Sequence, residues 1–198
     1  MPNAYDFDGT VYDGDSTLDF YLHCLAHVPG VVATIPGDVL DAVRFRMGLL
    51  PRQEFKERFF MRLMPRIDTD EMVGRFWDSH RSKMRPWYLD RMEGGDVFLS
   101  ASPDFLLRPL LEGLGIRSII ATEVDPATGR FLGPNMRGEE KVVAYRGTFG
   151  DDGPDEFYTD SLSDLPMIRI SKESFLVTGP VVRRLGEDET GGKGERLE

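Results

Sequence analysis

The residues able to do chemistry in this sequence are carboxylates, hydroxyls and one lysine, most of them directly behind apolar segments. They fall into four groups: an Asp-x-Asp-x-Thr stretch near the amino terminus, two serines, a lysine opening an amphipathic stretch, and a late aspartate pair. Carboxylates bind divalent cations and transfer protons, and a lysine balances developing negative charge. The residues are Asp6, Asp8, Thr10, Ser100, Ser102, Lys141, Asp160 and Asp164.

Three of the groups follow segments whose pattern predicts the end of a strand. Residues 2–7 lead into a glycine turn, DVFLSASP runs into a helix start, and DEFYTD ends at Asp160. Here Ser102 is predicted to cap a helix whose first residue is Pro103. Ligands of parallel α/β sheets bind where strands end and loops begin. We therefore expect the four groups to meet at one edge of a sheet.

Strands alternate with helices from residue 94 onward, which is typical of a mostly parallel sheet flanked by helices. RSIIATEV and SFLVTG read as strands, DPATGRFLG as a hairpin tip, and GEEKVVAYRGTF and DLPMIRISKE as helices. The first strand is expected to join this sheet. The pattern predicts an α/β fold.

A helical block separates the first strand from the rest of the predicted sheet. Four segments between residues 15 and 84 place apolar residues at three-to-four spacing, with prolines between them. We predict an α/β core over 1–13 and 89–185 and a helical insertion over 14–88. The charged, glycine-rich tail over 186–198 is predicted to be disordered.

Composition narrows the classes of partner. The chain has 198 residues, a formal net charge of −10 and a single cysteine, Cys24. The negative charge disfavours nucleic acid or an anionic membrane surface as the main partner. One cysteine forms no intrachain disulfide and no multi-cysteine metal site. Prolines and glycines interrupt the most apolar stretch, so we expect no membrane span, and no signal-peptide pattern opens the chain, which favours a cytoplasmic protein.

The ordered combination of the four groups resembles the signature motifs of the haloacid dehalogenase (HAD) superfamily. D-x-D-x-T alone is weak, since about one chain in thirty of this length carries it by chance. The resemblance covers about 125 residues of the core segments. It implies a Rossmann-like parallel sheet flanked by helices. The helical insertion is similar to the cap domain of the branch that contains phosphoserine phosphatase.

The resemblance implies a role for each core residue. Asp6 would be the nucleophile that forms an aspartyl-phosphate, and Asp8 would protonate the leaving oxygen and then activate water. Thr10 would close the turn and position Asp8. Ser100, followed by the main-chain N–H of Ala101, would bind the phosphate.

It also implies a metal ion and a balancing cation. Mg2+ would be held by an Asp6 oxygen, the main-chain carbonyl of Asp8 and Asp160, with Asp164 nearby or acting through water. A cation in that position explains why so many like charges are tolerated on one loop cluster. Lys141 would steady the charge of the nucleophile.

Several of these residues have simpler interpretations that the sequence leaves open. Ser102 competes with Ser100 for the phosphate and also fits a plain N-cap, although Ser100 directly follows the apolar run. Asp164 is equally placed to cap the next helix. The three histidines have no acidic partners at ligand spacing, and they are assigned to core or surface.

Substrate choice rests on the insertion. In the phosphoserine phosphatase branch an acidic residue and a cap arginine hold the amino acid; here Asp15 and either Arg58 or Arg62 are the candidates. Asp15 is as well explained as the N-cap of the first inserted helix, with the arginines solvated. A related bacterial group dephosphorylates phosphatidylglycerol phosphate, but no membrane-contacting apolar segment is visible in this sequence.

The predicted function is a Mg2+-dependent phosphatase that hydrolyses a small soluble phosphomonoester through an aspartyl-phosphate. The acidic residue at position 8 disfavours dehalogenation, because the dehalogenases of the family lack it. Phosphoserine and a phosphorylated lipid head group remain alternative substrates. Two binding proteins are the rivals: a phospho-accepting receiver domain, against which the large helical insertion counts, and a catalytically silent HAD-like protein.

Overall fold

A computed structural model describes residues 1–186 and residue 189 of the chain. The predicted disordered tail over 186–198 lies almost wholly outside the described residues. The strands are β1 (Ala4–Tyr5), β2 (Val97–Pro103), β3 (Ser118–Thr122), β4 (Glu156–Thr159), β5 (Glu173–Thr178) and β6 (Val181–Arg184). The helices are α1 (Ser16–His27), α2 (Ile35–Arg46), α3 (Arg52–Leu63), α4 (Thr69–His80), α5 (Pro86–Leu89), α6 (Asp104–Gly113), α7 (Glu139–Phe149) and α8 (Leu165–Ile170).

The six strands form one sheet in the order β3-β2-β1-β4-β5-β6. Strands β1 to β5 pair in parallel, and β6 alone runs antiparallel, beside β5. The α/β fold and the entry of the first strand into the sheet are confirmed. Since β1 lies at the centre, between β2 and β4, the loops after these three strands open at the same edge.

Helices α1 to α5 are inserted between β1 and β2 and pack on the same apolar core as the sheet. One buried cluster joins Phe7 and Phe98 of the sheet layer to Phe60 and Phe76 of the inserted helices. The indole N–H of Trp77, in α4, donates to the main-chain carbonyl of Leu106 in α6 at 2.6 Å. The division into a core over 1–13 and 89–185 and a cap over 14–88 stays a prediction.

Helix α2 turns its apolar side chains to solvent and its carboxylates inward. Val39, Leu40 and Val43 are at least half exposed, whereas Asp41 is buried and Asp38 is largely covered. The two aspartates face α3, where basic side chains meet them. This orientation is the reverse of the usual amphipathic arrangement.

Three histidines of the inserted helices lie close together, and two of them, His23 and His80, pack against Phe76. The ring of His23 lies 4.2 Å from that of His27 and 5.8 Å from that of His80, and the His80 ring stacks on Phe76 at 4.2 Å. His23 is 9% exposed, and its Nε2 has no hydrogen-bond partner in the described part of the chain. The assignment of these histidines to core and surface agrees with this packing.

Two sequence predictions are wrong in detail. Strand β2 extends through Pro103 and α6 begins at Asp104, so Ser102 is a strand residue and not a helix cap. The hairpin partner of β5 was not predicted; Gly179, with φ of 58°, allows the tight turn that brings β6 back.

No single described helix has the length and hydropathy of a membrane span. The helix Ser16–His27 and the segment Pro29–Arg46 meet that criterion only together, as a pair bent by 117°.

Candidate active site

Most of the predicted site residues meet around one cavity of about 430 Å³ at the edge of the sheet where β1, β2 and β4 end. The loops after these strands form its floor, and α1 and α3 form its other wall. Among its lining residues are Asp6, Asp8, Asp15, Ser100, Ala101, Ser102, Lys141, Asp160 and Asp164.

Lys141 is the buried cation of the site. Its Nζ donates to Asp6 Oδ1 at 2.9 Å and to Asp164 Oδ2 at 2.7 Å, which joins the first and last motifs through one ammonium group. Thr159 Oγ1 also donates to Asp164 Oδ2, at 3.1 Å. A lysine in the first turn of α7 thus reaches two strand ends that lie far apart in sequence.

Burial and neighbouring charges have opposing effects on the pKa values of Asp6 and Lys141. Burial raises the pKa of Asp6 to about 7, while the Lys141 charge pulls it down and the neighbouring Asp164 pushes it up. Burial lowers the pKa of Lys141, but the two carboxylates outweigh it and leave that pKa above its ordinary value. Lys141 therefore stays protonated, and two carboxylates share a single positive charge.

Asp8 points to the start of α1 and to β2. Its carboxylate accepts from the Ser16 main-chain N–H at 2.6 Å and from Ser102 Oγ at 2.5 Å. Burial and the charge of Asp15 raise the pKa of Asp8, and the hydrogen bonds from Ser102 and Ser16 only partly offset this. The carboxyl group therefore holds its proton closer to neutral pH than an exposed aspartate does, as a general acid requires.

Asp160 lies directly against the turn that carries Asp6 and Asp8. Gly9 has a φ of 70°, and a Cβ there would overlap Asp160 Oδ2, so any other residue would be strained and would displace the Asp160 carboxylate. Burial, with the charge of Asp164, raises the pKa of Asp160. Within the described ranges no lysine or arginine forms an ion pair with Asp160.

The donors suit a hard divalent cation, although they are not all side chains. No group of three or more His, Cys, Asp or Glu side chains is arranged to hold a metal among residues 1–186. The predicted set instead combines the carboxylates of Asp6 and Asp160 with the main-chain carbonyl of Asp8. Mg2+ commonly uses one or two carboxylates and completes its shell with water and substrate phosphate, so this set fits it.

The two serines of β2 make different contacts. Ser100 Oγ accepts from the Ser102 main-chain N–H at 3.1 Å, whereas Ser102 Oγ is bound to Asp8 and lies 2.9 Å from Thr17 Oγ1. The pairing of β2 with β3 shifts register between Ser100 and Pro103, which marks an irregular strand end beside the cavity. Ser102 is thereby committed to the Asp8 side chain, and Ser100 remains the candidate for the phosphate.

Asp15 serves as a helix cap and also borders the cavity. Its Oδ1 accepts from the Leu18 main-chain N–H at 2.9 Å, which confirms the N-cap interpretation. The same side chain lines the cavity, so capping and a contact with substrate are compatible.

The structure does not bring Arg62 or Thr10 to the cavity wall. Arg62 donates to Asp38 and Asp41 at 2.8 Å each and is thus held inside the inserted helices, away from any substrate. Thr10 is fully buried behind the turn, and its Oγ1 has no hydrogen-bond partner in the described residues. Arg58, the other arginine considered, pairs with Glu54 and Asp41.

Sequence reasoning missed three cations that face the cavity. Arg52 and Lys56 lie four residues apart on α3, and Arg137 precedes α7; none has an ion-pair partner in the part of the chain that is described. Lys56 Nζ donates to the Ala101 carbonyl at 2.9 Å, and burial lowers its pKa. The helical spacing of Arg52 and Lys56 was visible in the sequence, but the face they occupy was not.

Comparisons with known proteins agree with this geometry. A model of the haloacid dehalogenase-like hydrolase family matches residues 4–169. Protein CicA of Caulobacter vibrioides is 29% identical over 186 residues, which cover 86% of this chain and 82% of that protein. A histidinol-phosphatase of Neisseria meningitidis serogroup C is 31% identical over 100 residues, or 44% of this chain and 45% of that protein.

A solved structure supports the fold as a whole. The crystal structure of a probable phosphoserine phosphatase from Vibrio cholerae superposes with a TM-score of 0.65 at 12% identity, covering 88% of this chain and 55% of that one. Identity this low speaks for the fold alone, but the family model spans strands β1 to β4, the inserted helices and all four motifs. The chain belongs to the haloacid dehalogenase-like hydrolase family.

Proposed function

We propose that this protein is a Mg2+-dependent phosphatase that hydrolyses a small phosphomonoester through an aspartyl-phosphate on Asp6. The observation that carries the proposal is the Lys141 ammonium bonded to both Asp6 and Asp164, with Asp8 two residues from Asp6 on the same cavity. A receiver domain has its acidic pair ahead of a phosphorylated aspartate in a later strand, and five inserted helices are foreign to it. The partial match to a histidinol-phosphatase is in keeping with phosphatase chemistry.

The proposed first step is an in-line displacement at phosphorus. An Asp6 oxygen forms the new bond to phosphorus while the bond to the leaving oxygen breaks, and Asp8 gives its proton to that oxygen. Lys141 balances the charge of the nucleophile, and Ser100 with the Ala101 N–H is placed to hold phosphoryl oxygens. The raised pKa of Asp8 favours the protonated form that this step needs.

The second step releases inorganic phosphate. Asp8, now ionised, takes a proton from water, whose oxygen bonds to phosphorus while the bond to Asp6 breaks. Mg2+, held by Asp6, the Asp8 carbonyl and Asp160 with Asp164 nearby, would supply positive charge for the phosphoryl oxygens throughout. Atoms and charges then return to the starting state.

Phosphate release from p-nitrophenyl phosphate tests the proposal. We expect activity that EDTA abolishes and Mg2+ restores, and Asp6→Asn should lower turnover at least a thousandfold while the fold stays intact. Asp90→Asn, which changes an exposed carboxylate outside the cavity, is the matched control. A folded protein without turnover under any divalent metal would favour the silent binding protein.

The three unpaired cations extend the proposal to the rest of the substrate. Arg52, Lys56 and Arg137 face the cavity without a carboxylate partner among residues 1–186, so we expect a substrate that carries a second anionic group. Arg52→Gln should then raise KM for phosphoglycolate about tenfold and leave KM for monoethyl phosphate unchanged. Equal effects on the two substrates would exclude this role.

A further inference from the structure

The solvent face of α2 and its flanking residues is continuously apolar. Most of the residues that form it recur every three or four positions, and all of them are between 38% and 69% exposed. They are Val32, Ile35, Val39, Leu40, Val43, Met47 and Leu49. Scattered exposed apolar residues need no explanation, but a stripe along one helix marks a surface that contacts something other than water.

The polar residues of α2 show that this exposure is built into the helix. Asp38 and Asp41 face inward, where Arg62 binds both of them. Arg44 and Arg46, near the carboxyl end, are exposed; Arg44 is only loosely paired with Asp41 at 3.4 Å, and Arg46 forms no ion pair with any described residue. The charge that α2 presents to solvent is therefore positive.

The charged residues of the chain are distributed unevenly between the inserted segment and the rest. Residues 14–88 carry 11 lysines and arginines against 10 aspartates and glutamates, whereas the remaining residues carry 13 against 24. The net charge of −10 thus belongs to the sheet region and the tail. The inserted segment therefore has no net negative charge that would repel an anionic surface.

We propose that the face of residues 32–49 docks onto an anionic lipid bilayer, with α2 lying in the interface. An amphipathic helix with an apolar face and arginines beside it binds there, because apolar burial and attraction to anionic head groups act together. This inference does not rest on the phosphatase activity. This surface could not be recognised in the sequence, because the net charge of the whole chain is negative and no long apolar run is present.

A second copy of the chain suits the face less well. Symmetric antiparallel pairing of two α2 helices would bring Arg44 and Arg46 to the amino-terminal end of the partner helix, which carries a partial positive charge. Asp38, the acidic residue near that end, is already bound to Arg62. Lipid phosphates provide the negative groups that such a pair lacks.

The docking face and the catalytic cavity share a wall. Phe45 of α2 stacks on Phe55 of α3 with ring centroids 5.1 Å apart, and the Arg52 guanidinium lies 5.1 Å above the Phe45 ring. Phe55 and Arg52 line the cavity. A docked α2 would therefore hold this side of the cavity near the bilayer surface.

Co-sedimentation of the full chain with vesicles tests the proposal. We expect binding to vesicles of equal parts phosphatidylcholine and phosphatidylglycerol and little binding to pure phosphatidylcholine. The double variant Val39→Ser with Val43→Ser should weaken binding about tenfold. Arg46→Gln should weaken it about fivefold. Turnover of p-nitrophenyl phosphate should not change in either variant.

The matched control substitutions are on α7, which belongs to the acidic part of the chain outside residues 14–88. Val143→Ser removes an apolar side chain that is 66% exposed, and Arg146→Gln removes an exposed arginine. Binding that the controls weaken as much as the α2 variants would overturn the proposal. So would equal binding to both vesicle types. A dimer in light scattering that the valine variant dissociates, with no vesicle binding, would assign the face to a second copy.

Discussion

Two buried clusters in this molecule pair aspartates with cations, and they differ in how far the charges balance. At the sheet edge, Asp6 and Asp164 share the single ammonium of Lys141. Between α2 and α3, Asp38 and Asp41 are bound by Arg62, and Asp41 also receives Arg58 and Arg44. The first cluster borders a cavity, and the second is packed between two helices.

The pKa values follow this difference. Burial raises the pKa of Asp6 to about 7, and one lysine does not reverse the shift. Burial acts in the same direction on Asp41, but the Arg62 hydrogen bond and the arginine charges outweigh it, so its pKa lies below the ordinary value. A buried carboxylate that is bound by several cations stabilises the fold. A buried carboxylate that shares one cation with another carboxylate can still bind a metal ion or a proton.

Of the changes that test this comparison, Lys141→Met should have the largest effect, because it removes the cation that Asp6 and Asp164 share. Turnover should fall roughly a hundred- to a thousandfold, since the charge that steadies Asp6 is lost. Steady-state kinetics with p-nitrophenyl phosphate measures this. Lys172→Met, at an exposed lysine paired with Asp155, is the control. Turnover equal to that of the control would place Lys141 outside the mechanism.

Asp41→Asn should break the second cluster without touching catalysis. The loss of a buried carboxylate that binds arginines should lower the free energy of unfolding by about 2 kcal/mol. Denaturant unfolding measures the change, and Asp70→Asn, an exposed aspartate of α4, is the control. A loss of activity in a fully stable Asp41→Asn protein would contradict the separation of the two clusters.

Ser102→Ala tests the contribution of one hydrogen bond in the first cluster's surroundings, the bond from Ser102 to Asp8. It removes the hydroxyl that Asp8 accepts from, which should raise the pKa of Asp8 further. Because Asp8 must give up its proton in the first step and be ionised to activate water in the second, turnover should fall about tenfold. Ser100→Ala should act mainly on KM, because Ser100 is proposed to hold the phosphate. Measuring kcat and KM for both variants distinguishes the two serines; a reversed pattern would exchange their roles.

The smallest effect concerns the pH dependence of stability. Burial, with the charges of His27 and His80, lowers the pKa of His23 to about 4, below the ordinary value of about 6.5. Between these values the unfolded chain binds more protons, so stability falls as pH falls. Unfolding at pH ~7 and ~5 should show that His23→Leu reduces this loss by on the order of 1 kcal/mol. An unchanged pH dependence would exclude His23 as its source.

Much of the fold was predictable because its signals are local. Alternating strands and helices indicated the parallel sheet, and prolines marked the inserted helices to within a few residues. The return strand β6 escaped because four residues, half of them arginine, give no strand signal before β5 supplies a partner. The direction in which α2 faces escaped for another reason: periodicity shows that a helix has two faces, not which one is buried.

The candidate site likewise contains residues that the sequence could predict and residues that it could not. Asp6, Asp8, Ser100, Lys141 and Asp160 sit at strand ends or a helix start, and such positions converge in any parallel sheet. Arg52 and Lys56 reach the cavity only because α3 packs over it. Arg62 was instead a candidate for binding substrate, as was Arg58, since nothing in the sequence shows that two aspartates of α2 hold Arg62. Interhelical packing decides which arginines face a ligand.

The hairpin tip before α7 offers a last consequence. Gly129, with φ of 74°, closes the turn between Val124 and Phe131, and a Cβ there would overlap the main chain of Phe60 in α3. The main chain of the glycine turn contacts the main chain of α3 directly at this point. Any movement of α3 away from the cavity must therefore break this contact first. A spin-label pair set on either side of this contact would report any separation of α3 from the hairpin tip, and Gly129→Ala should push the two segments apart.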